Sequence, residues 1–469
     1  MAKTASQAKR PNLDSVTTIN QDGSRFFLHP SDARGRFVVA RRFVAILLIV
    51  IYAGLPWVHI NGQPAVFLDL FSRRFHLFGI TFAAQEMWLA FFFITGLAFL
   101  LFFTTALFGR LWCGWACPQT VFLEHVYRRV ERWIEGDAPA RRQLDAAALS
   151  GNKVFKRILK HGVFILFSGA IAHLFLAYFV SIPQLYAWMT SSPREQFGAF
   201  SFMAVSTGIL YFNFAWFREQ LCIVICPYGR LQSALIDEHT VNVAYDERRG
   251  EPRGKPGTEG AGDCIDCNRC VQVCPTGIDI RQGLQLECVA CTACIDACDE
   301  IMDKVKRPRG LIRYASEEAL EGKPTRFLRT RTVVYGLFML AGVAVMLFSF
   351  SRVQPFEATV SRMTGQPYFV TDDVIRNQFQ IRLVNKRNEP AAFRVYLEGA
   401  PAGMQLAGWG ADAMQLAPFE ERTRPLILVQ PREDYTGRAR LEIVVESGDG
   451  DRSLRRRAEF VGPDPRVFQ

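Results

Sequence analysis

Five apolar stretches, near residues 43–58, 87–108, 161–182, 198–217 and 332–350, constrain this chain more than any other feature. Each approaches the roughly 20 residues that a helix needs to cross a hydrocarbon core. In lipid every backbone polar group must be paired within its own segment, so such runs fold as spanning helices. They are not the whole molecule. Of 469 residues, 49% are hydrophobic but 21% are charged, which fits membrane spans joined to polar domains.

Lysine and arginine set the expected orientation. Arg34, Arg36, Arg41 and Arg42 precede or open the first run, and ten lysines and arginines lie between Arg110 and Lys160, linking the second and third. The two opposite connections carry only Arg73 and Arg74, and Arg194. The N-terminus is therefore expected in the cytoplasm. Five crossings then put the C-terminus outside, in the periplasm of a Gram-negative bacterium, with the protein in the inner membrane. Residues 218–331 fall on the cytoplasmic side and end at Arg326, Arg329 and Arg331. Residues 1–36 are polar, are expected to be disordered, and lack the apolar core and small-residue site of a cleavable signal. The net charge of +10 comes from cations flanking apolar runs, so lipid and not nucleic acid is the expected partner.

All 12 cysteines lie between Cys113 and Cys298. Residues 264–275 read CIDCNRCVQVCP and residues 288–298 read CVACTACIDAC, both with the C-x2-C-x2-C-x3-C spacing of two-cluster bacterial ferredoxins. Three closely spaced thiolates wrap three corners of a 4Fe–4S cube, and the fourth corner is reached from the other motif. One cluster is thus expected on Cys264, Cys267, Cys270 and Cys298, the other on Cys288, Cys291, Cys294 and Cys274. Zinc prefers two cysteine pairs set further apart, and disulfides are disfavoured in a reducing compartment. Pro275 follows the first motif as the pattern asks; Asp299 replaces it in the second, which should alter the turn and not the ligation.

A second signal is an internal repeat. RLWCGWACPQTVFLEH (110–125) resembles EQLCIVICPYGRLQSALIDEH (219–239), each with C-x3-C-P directly after an even-numbered span. Cys113 with Cys117, and Cys222 with Cys226, can each present two sulfurs on one helix face, and the proline suits a break or the first turn of a new helix. A small buried hydrophobe is the bland reading of cysteine here. The functional options are a shared four-thiolate metal site, a copper(I) site, a redox dithiol or a third iron–sulfur cluster.

Other residues say less. His173 lies inside the third run and is a functional candidate or a helix-bridging donor. His125 and His239 follow the cysteine pairs and could extend a metal site, though surface roles suit them. Met363, Met404 and Met414 could touch copper, with core packing the better reading. There is no C-x-x-C-H haem signal and no phosphate-binding glycine loop. Beyond residue 356, QFQIRLVNK (378–386), AFRVYLEG (392–399), TRPLILVQP (423–431) and RARLEIVVES (438–447) read as strands of an immunoglobulin-type sandwich without a cysteine pair.

The expected fold is a multi-domain membrane protein: five transmembrane α-helices, a two-cluster bacterial ferredoxin-like insert, and a C-terminal all-β immunoglobulin-like sandwich. Its parts are a disordered cytoplasmic N-terminus (1–36), a four-helix membrane region with two C-x3-C-P repeats (37–240), a cytoplasmic ferredoxin domain with a basic linker (241–331), a fifth span (332–350) and a periplasmic domain (356–469).

Taken in order, WCGWACPQ, CPYGRLQSA, CIDCNRCVQVCPTGIDIRQGLQLECVACTACIDAC and the terminal strands closely resemble the cytochrome c oxidase accessory protein family, also called CcoG, FixG or RdxA. Membrane ferredoxins of nitrate and nitrous-oxide respiration share the repeated C-x3-C-P pattern without the terminal sandwich. The resemblance implies a role in assembling a cbb3-type oxidase, by reducing Cu(II) to Cu(I) for copper chaperones. Electrons would enter from an unidentified cytoplasmic or quinol donor and reach copper near Cys113, Cys117, Cys222 and Cys226. A general quinol or electron conduit, or a non-redox assembly scaffold gripping oxidase subunits, are the alternatives. About 30 Å of hydrocarbon separates the two faces and no haem chain is evident, so copper reduction is expected on the cytoplasmic side.

Overall fold

The computed structural model describes Thr18 and residues 25–71, 74–83, 88–352, 354–371, 373–409, 413–448, 450 and 452–468. It divides into two compact units, residues 1–58 with 88–347 and residues 59–87 with 348–469.

The first unit holds the helices. Five are long and apolar enough to cross a membrane: α1 (Arg36–Gly54), α2 (Trp88–Phe108), α3 (Gly151–Leu176), α4 (Phe197–Phe212, extended by a wide turn to Phe217) and α5 (Thr330–Arg352). α3 starts ten residues before the apolar run of 161–182 does, because Ser150 caps it by accepting from the Lys153 amide and its first turns are basic. It also ends earlier, and the chain restarts as a separate helix, Ile182–Thr190, with a proline in its first turn. α2 and α5 meet at two glycines, and a side chain on Gly342 would come within 3.0 Å of the Gly96 Cα.

Several cations read as topology signals are structural. Glu131 is buried and receives Arg218 and Arg141; Glu135 receives Lys160 and Arg157; Glu219 receives Arg25 and Arg128. Burying carboxylates is tolerable only with such partners. Arg218 and Arg141 hold the Glu131 carboxyl down at about 2 against the opposing effect of burial.

Residues 1–36 are not uniformly a disordered tail. Most of 1–24 lies outside the described residues, but 25–35 is an ordered extended segment. Ser31 N donates to Gln272 O at 2.8 Å, Arg141 donates to Pro30 O at 3.2 Å, and Arg25 pairs with Glu219 at 2.6 Å. Its polarity suggests solvent, yet two of these partners, Arg141 and Glu219, are buried.

Residues 241–331 form the cysteine-rich body. Strand Asn242–Tyr245 pairs antiparallel with Ile312–Ala315, and helix Ala293–Lys304 packs on them around Val243, Ile280, Ile295, Met302, Leu311 and Ile312.

The second unit is a β-sandwich. One sheet runs Gln405–Ala407, Glu421–Pro431, Val374–Asn385, Phe356–Arg362; the other runs Met414–Leu416, Ala391–Glu398, Ala439–Ser447, Ser453–Phe460. Alternate residues Phe379, Ile381 and Leu383 meet Phe393, Ile443, Val445 and Phe460 in one core. Met414 is buried in that core and Met404 packs against it. The segment between α1 and α2, assigned to the membrane region at the sequence level, instead belongs to this unit and folds as strands. Val66–Asp69, Arg74–Leu77 and Ile80–Ala83 form a three-stranded sheet. Before it, His59–Ile60 and Gln63–Pro64 pair across Asn61-Gly62, both at positive φ, the geometry a two-residue hairpin demands.

Candidate metal centres

The two cysteine motifs fold the same way. In Cys264–Cys270, Asp266 and Asn268 have positive φ (53° and 56°); in Cys288–Cys294, Ala290 and Thr292 do (51° and 63°). These are the same offsets from the first cysteine, and none is glycine. Left-handed backbone costs an L-residue about 1–2 kcal/mol, and threonine is among the least suited to it. Such strain persists only where the surroundings impose it. Alternating handedness turns successive peptide N–H groups toward one concave side, the arrangement that receives anions and iron–sulfur clusters. Each loop then enters a helix, Arg269–Gln272 or Ala293–Lys304, whose first turn carries the third cysteine, Cys270 or Cys294.

The fourth cysteine of each motif has thiols of the other motif as neighbours. Burial pushes the Cys298 thiol up to about 12, reinforced by Cys270, Cys264 and Cys267. Burial likewise pushes Cys288 up to about 12, and its thiol neighbours are Cys274 and Cys291. Cys294 is raised by burial and then by Cys291, Cys288, Cys274 and Cys270. Cys298 thus lies near thiols of the first motif and Cys274 near those of the second, while Cys270 also neighbours Cys294, so the two groups adjoin. A small cavity between them is lined by Cys270, Cys274, Cys288, Cys291 and Cys294. Eight thiols, all but the exposed Cys267 buried or half-buried, beside inward-facing amides fit 4Fe–4S clusters in donor chemistry and in backbone shape. Among the described residues no three His, Cys, Asp or Glu side chains are grouped as around a single ion. Asp299 sits inside the helix that ends at Lys304, where proline would break the ladder, and its carboxylate accepts from Gly310 N at 2.9 Å.

The C-x3-C-P repeats also superimpose in kind. Cys117 and Cys226 each precede a proline-started helix, Pro118–Phe122 or Pro227–Leu235, with nearly identical backbone angles (−61°, 125° and −64°, 111°). Their amides make the same wide-turn bond, Cys117 N to Trp112 O at 2.9 Å and Cys226 N to Leu221 O at 2.8 Å. The four thiols are neighbours: burial raises Cys222 to about 12, helped by Cys117, Cys113 and Cys226. Cys113 rises to about 11 by burial, and the buried Gln232 amide, 3.4 Å from its sulfur, works against this.

This four-thiol group abuts the second cluster loop. Cys113 packs against Val273, Val289, Cys291 and Ala293. At Gly114 a side chain would meet Ala290 O at 2.5 Å and Val289 O at 2.6 Å, so only glycine lets the two backbones touch. The buried Arg41 guanidinium bridges them, donating from Nε to Gly114 O at 3.0 Å and from Nη1 to Cys291 O at 2.8 Å. Gly114 is not singled out at the sequence level, and Arg41 enters there only as a topology residue. A glycine between two paired cysteines, and an arginine inside an apolar helix, were the available signals.

The weaker candidates separate. His125 lies among arginines; burial, Arg41, Arg129 and Arg42 drop it to about 3, so its ring is neutral. His173 Nδ1 bonds Gly169 O at 2.7 Å on its own helix.

Family models match three stretches: a 4Fe-4S binding domain over residues 89–136, a 4Fe-4S dicluster domain over 217–317, and the IG-like fold at the C-terminus of FixG over 346–463. Spans, cysteine cradles and sandwich together define a membrane-bound iron–sulfur electron-transfer protein. The chain is 40% identical to Protein RdxA of Cereibacter sphaeroides, covering 81% of this chain and 83% of that one. It is 36% identical to Nitrogen fixation protein FixG of Rhizobium meliloti, covering 81% of each. Ferredoxin-type protein NapH of Haemophilus influenzae is 23% identical over 44% of this chain and 66% of its own. The chain belongs to the FixG and RdxA family.

Proposed function

We propose that this protein passes single electrons from two 4Fe–4S clusters to Cu(II) held near Cys113, Cys117, Cys222 and Cys226, yielding Cu(I) for assembly of a cbb3-type oxidase. One cluster takes Cys264, Cys267, Cys270 and Cys298, the other Cys288, Cys291, Cys294 and Cys274. The clusters, when bound, supply one-electron storage. The chain supplies the rest. The non-glycine left-handed residues hold the amides toward each cluster position. Gly114 brings the copper-side loop onto the 288–294 loop, and Arg41 fixes the two together. Gln232 orients the Cys113 sulfur. Soft thiolates favour Cu(I) over Cu(II), so the site itself promotes reduction.

The observation that carries this reading is the backbone contact at Gly114, which joins a spare set of soft donors to a cluster cradle. The topology assigned here puts both on the cytoplasmic face of the inner membrane and residues 356–469 in the periplasm. Copper chaperones or oxidase subunits are the partners, and the electron donor is cytoplasmic or a quinol.

The test uses purified, cluster-loaded protein. Reduced clusters should be reoxidised by Cu(II), with one Cu(I) appearing per electron. Serine at all four C-x3-C-P positions should slow this step while iron content holds. An unchanged rate removes these cysteines from the mechanism.

A further inference from the structure

One cavity in the helical unit is unlike the others in charge. It is bounded by residues 30–33, the start of α1, the helical turns after Cys117 and the two cluster loops, at Val273, Pro275, Cys291 and Ala293. Five arginines line it, Arg41, Arg128, Arg129, Arg132 and Arg141, beside the neutral His125. Only two carboxylates, Asp32 and Glu124, do so. Those two are already engaged, Asp32 by Arg132 and Glu124 by Arg128. Among the described residues Arg41 and Arg129 have no ion-pair partner.

Unmatched N–H groups remain around it, even though Arg128 also pairs with Glu219 and Arg141 with Glu131. Arg41 Nη2, His125 Nδ1, Arg128 Nε and Arg141 Nε are buried without hydrogen-bond partners. The three arginines are more than nine-tenths buried. A buried guanidinium N–H left unpaired is costly, and water would satisfy the bond without balancing the charge. Burial and then repulsion from Arg42 and Arg132 lower Arg129, outweighing the attraction of Asp32 and Glu124.

The geometry points to an oxyanion site of the phosphate class in this cavity, wedged between the arginines and the 288–294 cluster loop. Several convergent guanidinium donors match a tetrahedral polyanion with many acceptor oxygens better than a single carboxylate. The cavity lies at the basic start of the first span, so the phosphate is either free or the headgroup of an anionic lipid. Its negative charge beside Cys291 makes adding an electron to the adjacent cluster harder, shifting that potential downward.

The test takes full-length, cluster-loaded protein in an uncharged maltoside detergent, titrated with inorganic phosphate by calorimetry and followed by redox-poised electron paramagnetic resonance. We expect one phosphate per chain and a more negative potential for one of the two cluster signals. Arg129→Gln, which breaks no ion pair, should weaken binding by about tenfold or more and abolish the potential shift, with iron content unchanged. Should inorganic phosphate fail while nanodiscs of phosphatidylglycerol, but not phosphatidylcholine, give the Arg129-dependent shift, the ligand is the lipid headgroup. If neither source gives Arg129-dependent binding or shift, the site does not exist.

Discussion

Gly114→Ala isolates the contact on which the proposed electron delivery depends. The added Cβ would stand 2.5 Å from Ala290 O, where ordinary contact begins at 3.4 Å. Backbone carbonyls on a cluster loop cannot swing aside like a flexible side chain, so the loops must part by about 0.9 Å, the difference of those two distances. Overpacking of this kind costs about 1–3 kcal/mol, which a folded membrane domain survives. The rate suffers more. Widening the gap between the thiols and the cluster loop weakens their electronic coupling, and we expect a severalfold slower reoxidation. The assay is stopped-flow reoxidation of reduced clusters by Cu(II), read in their visible absorbance. Gly151→Ala is the control, since nothing lies within 4 Å of that position. A Gly114→Ala protein with full iron content and an unchanged rate would refute the claim that electrons leave through this contact.

Other expectations follow from the same geometry. Cys298→Ser should remove about half the iron and one paramagnetic signal; loss of the signal tied to Cys288, Cys291 and Cys294 would contradict the crossed assignment. In metal-free protein burial and neighbouring thiols hold Cys298 at about 12, against roughly 8.5 for an unfolded cysteine. The stability from keeping it neutral is full below about pH 8.5 and lost as pH rises toward 12, so urea midpoints of metal-free protein should fall between about pH 8 and pH 10 and not rise. Phe393→Ala in the sandwich core should cost about 3–5 kcal/mol, read as a lower-temperature transition that leaves cluster absorbance intact; a coincident loss of both would show the two units to be cooperative.

What could be read from the sequence was what local pattern dictates. The five spans, the two ferredoxin motifs, the C-x3-C-P repeat and four of the five longest strands were legible, because lipid, thiolate spacing and alternation each leave a signature within a few residues. The strands between α1 and α2 were not. They are four residues long at most, and their one strong cue was Asn61-Gly62. Ser453–Phe460 was hidden too, since three arginines on an edge strand mask the inward Ala458 and Phe460. The roles of Arg41 and Gly114 depend on contacts 250 and about 175 residues away in sequence. Ala290 and Thr292 were invisible for another reason: left-handed backbone is usually announced by glycine, and here the fold imposes it on residues that resist it.

The central claim is tested most directly by electron paramagnetic resonance of the reduced, full-length protein before and after one equivalent of Cu(II). The account predicts that reduced-cluster signal is lost and that no Cu(II) signal takes its place, with both effects slowed when Cys113, Cys117, Cys222 and Cys226 are serine. A persistent cluster signal beside an undiminished Cu(II) spectrum would contradict it.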